Sequence, residues 1–244
     1  MDIFCEHFTV VDIETTGLDP KKDRITEIAA LRVNEGRIED TFHTLVNPGR
    51  RLDDRIVQLT GLTDEALERA PFIGDVIGDF VDFEKTGCLL GHSILFDYSF
   101  LKRAAVNAGK TFEKRGIDTL SISRKYLQEL ESRALPYLCQ HFRIRHQAHR
   151  ALSDVEATLE LYQILKKQYG QAEDAEKVFM PKELICHVKK ESPITKKQIE
   201  QLQRFLSYYH LESAYHIESM TRNEASRYLD QLISAHGRIP PRNG

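Results

Sequence analysis

No run of about eighteen apolar residues occurs in the chain, so no transmembrane helix is expected and no membrane partner with it. The opening Met1-Asp2-Ile3-Phe4-Cys5-Glu6 lacks both a basic stretch and an apolar core, so it is not read as a signal peptide. Cysteine is sparse. Cys5, Cys88, Cys139 and Cys186 lie far apart and form no Cys-x-x-Cys pair. That excludes a disulfide framework and a cysteine zinc site, and leaves reduced thiols in a cytoplasmic protein. A large excess of positive charge is also missing, since the formal net charge is −3. Residues 171–244 carry 11 basic and 10 acidic side chains, and the surplus of acid lies in residues 1–170. A polyanion handled by the first part would be held through bound cations and local basic patches.

What is present is ordinary for a globular chain: 244 residues, 41% hydrophobic and 29% charged, enough for one sizeable core and a small second unit. The stretch that stands out is Thr9-Val10-Val11-Asp12-Ile13-Glu14-Thr15-Thr16-Gly17. Its β-branched residues read as a strand, and alternation puts Asp12 and Glu14 on one face. Two carboxylates on one face of an apolar strand repel each other unless a divalent cation sits between them. The plain alternative is an edge strand with two solvated acids.

Around it, residues 25–33 and 37–46 read as two more strands, giving an antiparallel meander. Short helices follow from Asp54, then helices at 94–107, 119–130 and 134–141, with short strands at 88–90 and 116–119. Ala151–Gln168 is an amphipathic helix, with Leu152, Val155, Leu159, Tyr162 and Leu165 at three- and four-residue steps. A meander followed by alternating strands and helices predicts an α/β domain with a mixed sheet over residues 1–170. Residues 171–193 read as a linker. Thr195 with Gln198 and Thr221 with Glu224 are capping-box pairs that open two helices, so 194–236 is expected as a small helical module and 237–244 as a flexible tail.

Three further residues matter. Asp97 and Asp154 each fall near a helix start, where an acid is often only a favourable first-turn charge. His149 precedes the second of these helices, and a lone histidine is most often structural. Together, however, Asp12-x-Glu14, Gly91-His92-x4-Asp97-x2-Phe100-Leu101 and His149-x4-Asp154 resemble, in order and spacing, the three exonuclease motifs of the DEDDh family. The resemblance runs from about residue 8 to 169 and is closest to the proofreading group, like the epsilon subunit of DNA polymerase III.

The resemblance implies a ribonuclease-H-like fold with a five-stranded mixed sheet flanked by helices. It also implies hydrolysis of phosphodiesters from the 3′ end, with two divalent cations, Mg2+ or Mn2+, as cofactors. By that likeness Asp12 bridges both ions, Glu14 and Asp154 complete one site, Asp97 holds the other, and His149 is the general base. Thr15, Thr16 and Gly17 would meet the terminal nucleotide and Leu18 would wedge between the last two bases. His92 and Phe96 would line the pocket, with Phe100 behind them; core packing is the plain alternative for both phenylalanines. The expected partners are single-stranded nucleic acid 3′ ends, DNA favoured over RNA, and a polymerase or other replication or repair protein. The same chemistry on RNA is one alternative and a non-catalytic interaction subunit another.

Overall fold

The computed structural model describes residues 4–240. Strands β1 (His7–Thr15), β2 (Ile25–Asn34) and β3 (Arg37–Leu45) form the antiparallel meander. Glu35 and Gly36 turn β2 into β3, both at positive φ (49° and 77°), the geometry of a two-residue hairpin turn. Helices α1 (Asp54–Thr60), α2 (Asp64–Glu68) and α3 (Ile73–Phe83) come next. Then follow β4 (Cys88–Gly91), α4 (Ile94–Asn107), β5 (Arg115–Asp118), α5 (Thr119–Tyr126), α6 (Leu135–Phe142) and α7 (Ala151–Tyr169). β4 and β5 run parallel to β1.

The sheet has six strands among the described residues, in the order β3-β2-β1-β4-β5-β6, where five were expected. The extra strand, β6 (Lys182–Glu183), pairs antiparallel with β5 at the edge. Two residues are too few to show an alternating pattern, which is why the sequence hides it.

Alternation along the strands sorts the core into two layers. Phe8 and Val10, with Ala29, Leu31 and Val33, face α7 and the helices beside it. Val11 and Ile13, with Ile28 and Ala30, face α3 and α4. Asp12 and Glu14 therefore share the α7 side of the sheet with Phe8 and Val10.

Residues 171–193 contribute to this packing. Helix α8 (Ala175–Phe179) buries Ala175 and Phe179 in the α7-side cluster. Phe179 meets the rings of Tyr162 and Tyr126, each at 6.1 Å between centroids. Helices α9 (Lys196–Tyr209) and α10 (Arg222–His236) both start with complete capping boxes. They enclose an apolar cluster of their own, built on Leu202, Phe205, Tyr228 and Leu232. Of the expected tail, residues 241–244 lie outside the described residues, and Arg204 Nη2 donates to the Pro240 carbonyl at 3.0 Å.

Candidate metal centre

β1 is central, so its carboxylates are shielded. Glu14 is 9% exposed and Asp12 is partly buried. Asp154 lies one turn into α7, which crosses this face of the sheet, and is itself buried. One carboxylate oxygen each from Asp12, Glu14 and Asp154 lie within 4.8 Å of one another.

Asp97 arrives from the opposite side. β4 ends at Gly91 and pairs with β1 only at Thr9 and Val10, so the edge of β1 beyond this point lacks a strand partner there. Asp97, in the first turn of α4, fills the gap: its Oδ1 accepts the Ile13 backbone N–H at 3.1 Å. This satisfies a buried amide that the sheet leaves open.

The charges strain one another. Burial, then the negative charges of Asp97, Asp154 and Glu14, push the Asp12 carboxyl well above the carboxylate range. Glu14 is pushed up to about 8, by burial first and then by Asp154 and Glu27, with Arg150 opposing. Burial also raises Asp97 far above its usual value, against the backbone N–H of Ile13, and raises Asp154 against His146 and His149. An all-oxygen set that prefers protons to bare charge is the donor chemistry that a hard divalent cation satisfies.

His149 sits in the loop before α7 at φ 62°, a left-handed conformation that costs a residue with a Cβ. Two nearby residues escaped the sequence reading. His146 Nε2 is in hydrogen-bond contact with Asp154 Oδ1. Glu27, fully buried on β2, stands directly across from Glu14 in the β1–β2 register. Its carboxylate bonds His43 Nε2 at 2.7 Å, accepts the Ala151 N–H at the start of α7 at 3.4 Å, and lies 3.8 Å from Arg150. The signal for Glu27 was present, as a charged residue inside the apolar run Ile25–Val33. His146 had none, because its contact depends on the path of an irregular loop.

Thr15, Thr16, Gly17 and Leu18 leave β1 beside the carboxylates. Thr15 Oγ1 donates to the Gly17 carbonyl at 2.6 Å, and Leu18 projects outward, 84% exposed. His92 uses both ring nitrogens inside the fold, at 2.9 Å to Thr119 Oγ1 and 2.9 Å to the Arg133 carbonyl. Phe100 is buried in the α4-side core, and Phe96 packs on it with ring centroids 5.0 Å apart.

The family model for exonucleases (RNase_T) matches residues 9–162. A PolC-type DNA polymerase III from Caldanaerobacter subterraneus subsp. tengcongensis is 40% identical over 157 residues, covering 64% of this chain and 11% of that protein. The epsilon subunit of DNA polymerase III from Aquifex aeolicus is 34% identical over 157 residues, covering 64% of this chain and 78% of that protein. The chain thus spans only 11% to 17% of the length of the PolC-type relatives it matches. Among solved structures, the zinc-bound E. coli ExoI–ssDNA complex superposes with TM-score 0.61 at 20% identity, over 68% of this chain and 41% of that one. Exonuclease X in complex with 5′ overhanging duplex DNA gives TM-score 0.55 at 23% identity, over 71% and 99%. These two likenesses establish the ribonuclease-H-like fold.

Proposed function

We propose, since the chain belongs to the exonuclease family, that it is a metal-dependent 3′→5′ exonuclease acting on single-stranded or frayed DNA. The observation that carries this reading is the meeting of Asp12, Glu14 and Asp154 within 4.8 Å, with Asp97 bonded to the same strand. Asp12, Glu14 and Asp154 would hold one divalent cation, and Asp12 with Asp97 a second. Two Mg2+ or Mn2+ ions would supply charge neutralisation at the phosphate, an acidified water and a stabilised 3′ leaving oxygen.

The side chains around them do the rest. His149 takes the proton from the attacking water, a task suited to an imidazole near neutral pH. His149 stands two residues before α7, whose first turn carries Asp154. Thr15, Thr16 and Gly17 receive the terminal nucleotide through the backbone, and Leu18 separates the last two bases. Phe96 lines the pocket, while His92 and Phe100 support its wall. Arg143, Arg145 and Arg150 steer the strand through phosphate contacts.

DNA is preferred over RNA in this reading because the relatives are DNA polymerase III proteins. A polymerase or another replication protein in the cytoplasm is the proposed partner. The test is Asp12→Ala in the otherwise intact chain. Turnover of a 5′-labelled strand should fall by ~10²–10³-fold or more, as when a main electrostatic stabiliser is lost. A rate near that of the natural protein would refute the assignment.

A further inference from the structure

The loop that joins β1 to β2 is tightly closed. Thr16 N–H donates to the Arg24 carbonyl at 2.8 Å, and Arg24 N–H donates to Thr16 Oγ1 at 3.0 Å. Asp23 folds over Gly17 so closely that a Cβ there would lie 2.5 Å from its carboxylate oxygen. Leu18 stands at the tip.

Two arginines grip this loop, and both lead to the C-terminal helices. Arg50 Nη2 donates to Thr16 Oγ1 and, at 2.8 Å, to Asp23 Oδ1, while Nη1 donates to the Lys22 carbonyl at 3.0 Å. The segment that carries Arg50 is bridged to the module. His216 N–H donates to the Gly49 carbonyl at 2.6 Å, and Arg50 pairs with Tyr215. On the other side, Arg24 meets Glu224 of α10 in a two-point ion pair, Nε to Oε1 at 3.0 Å and Nη2 to Oε2 at 2.5 Å. The same Glu224 carboxylate accepts the Thr221 N–H at 2.7 Å to complete the capping box. One carboxylate therefore ties the start of α10 to the β1–β2 loop. The pair is sheltered, with side chains 24% and 15% exposed, so solvent screens it less than a surface pair.

These contacts are not those of an appendage that merely covers apolar surface. The cluster inside the module is separate from the two clusters on the sheet. What joins the two units here is mainly polar, through the 49–51 segment and the β1–β2 loop, beside one ring contact of Phe72 with His216 at 5.1 Å.

We propose that residues 194–236 act as a clamp on the loop Thr16–Arg24, with the Arg24–Glu224 pair as its latch. The clamp holds Leu18 and the Thr16 backbone in place for the last two nucleotides of a strand, which rests on the exonuclease reading above. Glu224 is a positioning residue, acting through Arg24 and not on the substrate. The module thus sets strand affinity without entering the chemistry.

The test is Glu224→Gln in the full chain. Gln suits the third position of a capping box, so α10 keeps its cap while the charge pair is lost. With a single-stranded DNA oligonucleotide and Mg2+, KM should rise roughly 5- to 20-fold, a usual size for coupling between separate sites, with kcat within about twofold. Arg24→Gln should give the same split, and the double variant should be no worse than either single one. An unchanged KM in both single variants, or an equal fall in kcat, overturns the proposal.

Amide hydrogen exchange provides a readout that does not need activity. Exchange in residues 16–24 should quicken in Glu224→Gln while α10 stays protected. If α10 also loses protection, Arg24→Gln decides, because it leaves the cap untouched. Unchanged exchange in residues 16–24 in Arg24→Gln refutes the clamp. A natural protein that degrades no nucleic acid would instead refute the exonuclease reading, and the exchange result would still judge the clamp.

Discussion

Replacing Glu14 by Gln should stabilise the metal-free protein while removing its activity. Glu14 is 9% exposed, and its carboxyl is pushed from 4.5 to about 8 by burial and by Asp154 and Glu27. Between those two values the folded protein holds a proton that the unfolded chain has released. Stability therefore falls as pH rises through this window, by about 3 kcal/mol at pH 7 from this one group. Gln keeps the shape and carries no charge, so it avoids the loss. At roughly 2–4 °C per kcal/mol for a chain of this size, Tm should rise by about 6–12 °C at pH 7 in chelator. The gain should vanish below about pH 3.5, where the carboxyl is protonated in both states of the natural protein. At pH 7, Mg2+ or Mn2+ at a thousand times its Kd should reverse the ranking, because it stabilises the natural site by about 4.1 kcal/mol. Differential scanning calorimetry across pH, with and without metal, makes the comparison. A variant no more stable than the natural protein at pH 7–8 in chelator would show that the carboxylates are not strained and the reasoning is wrong.

Three further outcomes are expected. His149→Ala should lower kcat by ~10²–10⁴-fold with little change in strand affinity; a near-normal kcat in single-turnover assays would remove it as the base. Phe179→Ala should cost about 3–5 kcal/mol in urea unfolding, since its ring fills the α7-side core. A cost below about 1 kcal/mol would mean that α8 packs only loosely. Leu18→Ala should raise KM on single-stranded DNA more than it lowers stability, because the side chain is 84% exposed and has little packing to lose; a drop in Tm with unchanged KM would contradict its role as a wedge.

Much of the fold is legible wherever a segment is long enough to show its period. The spacing of the apolar residues in Ala151–Tyr169 and in Ile94–Asn107 marks each helix close to its observed ends. The capping pairs Thr195/Gln198 and Thr221/Glu224 place both C-terminal helix starts, because that local chemistry works the same in any context. β6 and α8 escape for the opposite reason. Two and five residues carry no usable periodicity, and polar neighbours mask Phe179, whose burial comes from α7 and Tyr126. At the candidate site, alternation puts Asp12 and Glu14 on one face, while Asp97 and Asp154, each alone an ordinary first-turn charge, are singled out only by the resemblance to the exonuclease motifs. Glu27 shows in the sequence as a charge inside an apolar run, but its place opposite Glu14 appears only through strand register, and the bond from His146 to Asp154 only through the fold of the 143–150 loop. The latch between Arg24 and Glu224 joins residues 200 positions apart, which no local pattern reports.

The carboxylates gathered at β1 are proposed to make this chain a metal-dependent nuclease working from the 3′ end. The most direct measurement incubates 5′-labelled DNA and RNA oligonucleotides side by side with Mg2+, Mn2+ or chelator, and resolves the products at single-nucleotide length. The expected product is a ladder shortened one nucleotide at a time, formed faster on DNA, absent in chelator and blocked by a 3′-phosphate. Internal fragments appearing first, release of the 5′ label as a mononucleotide, or full activity in chelator would contradict it.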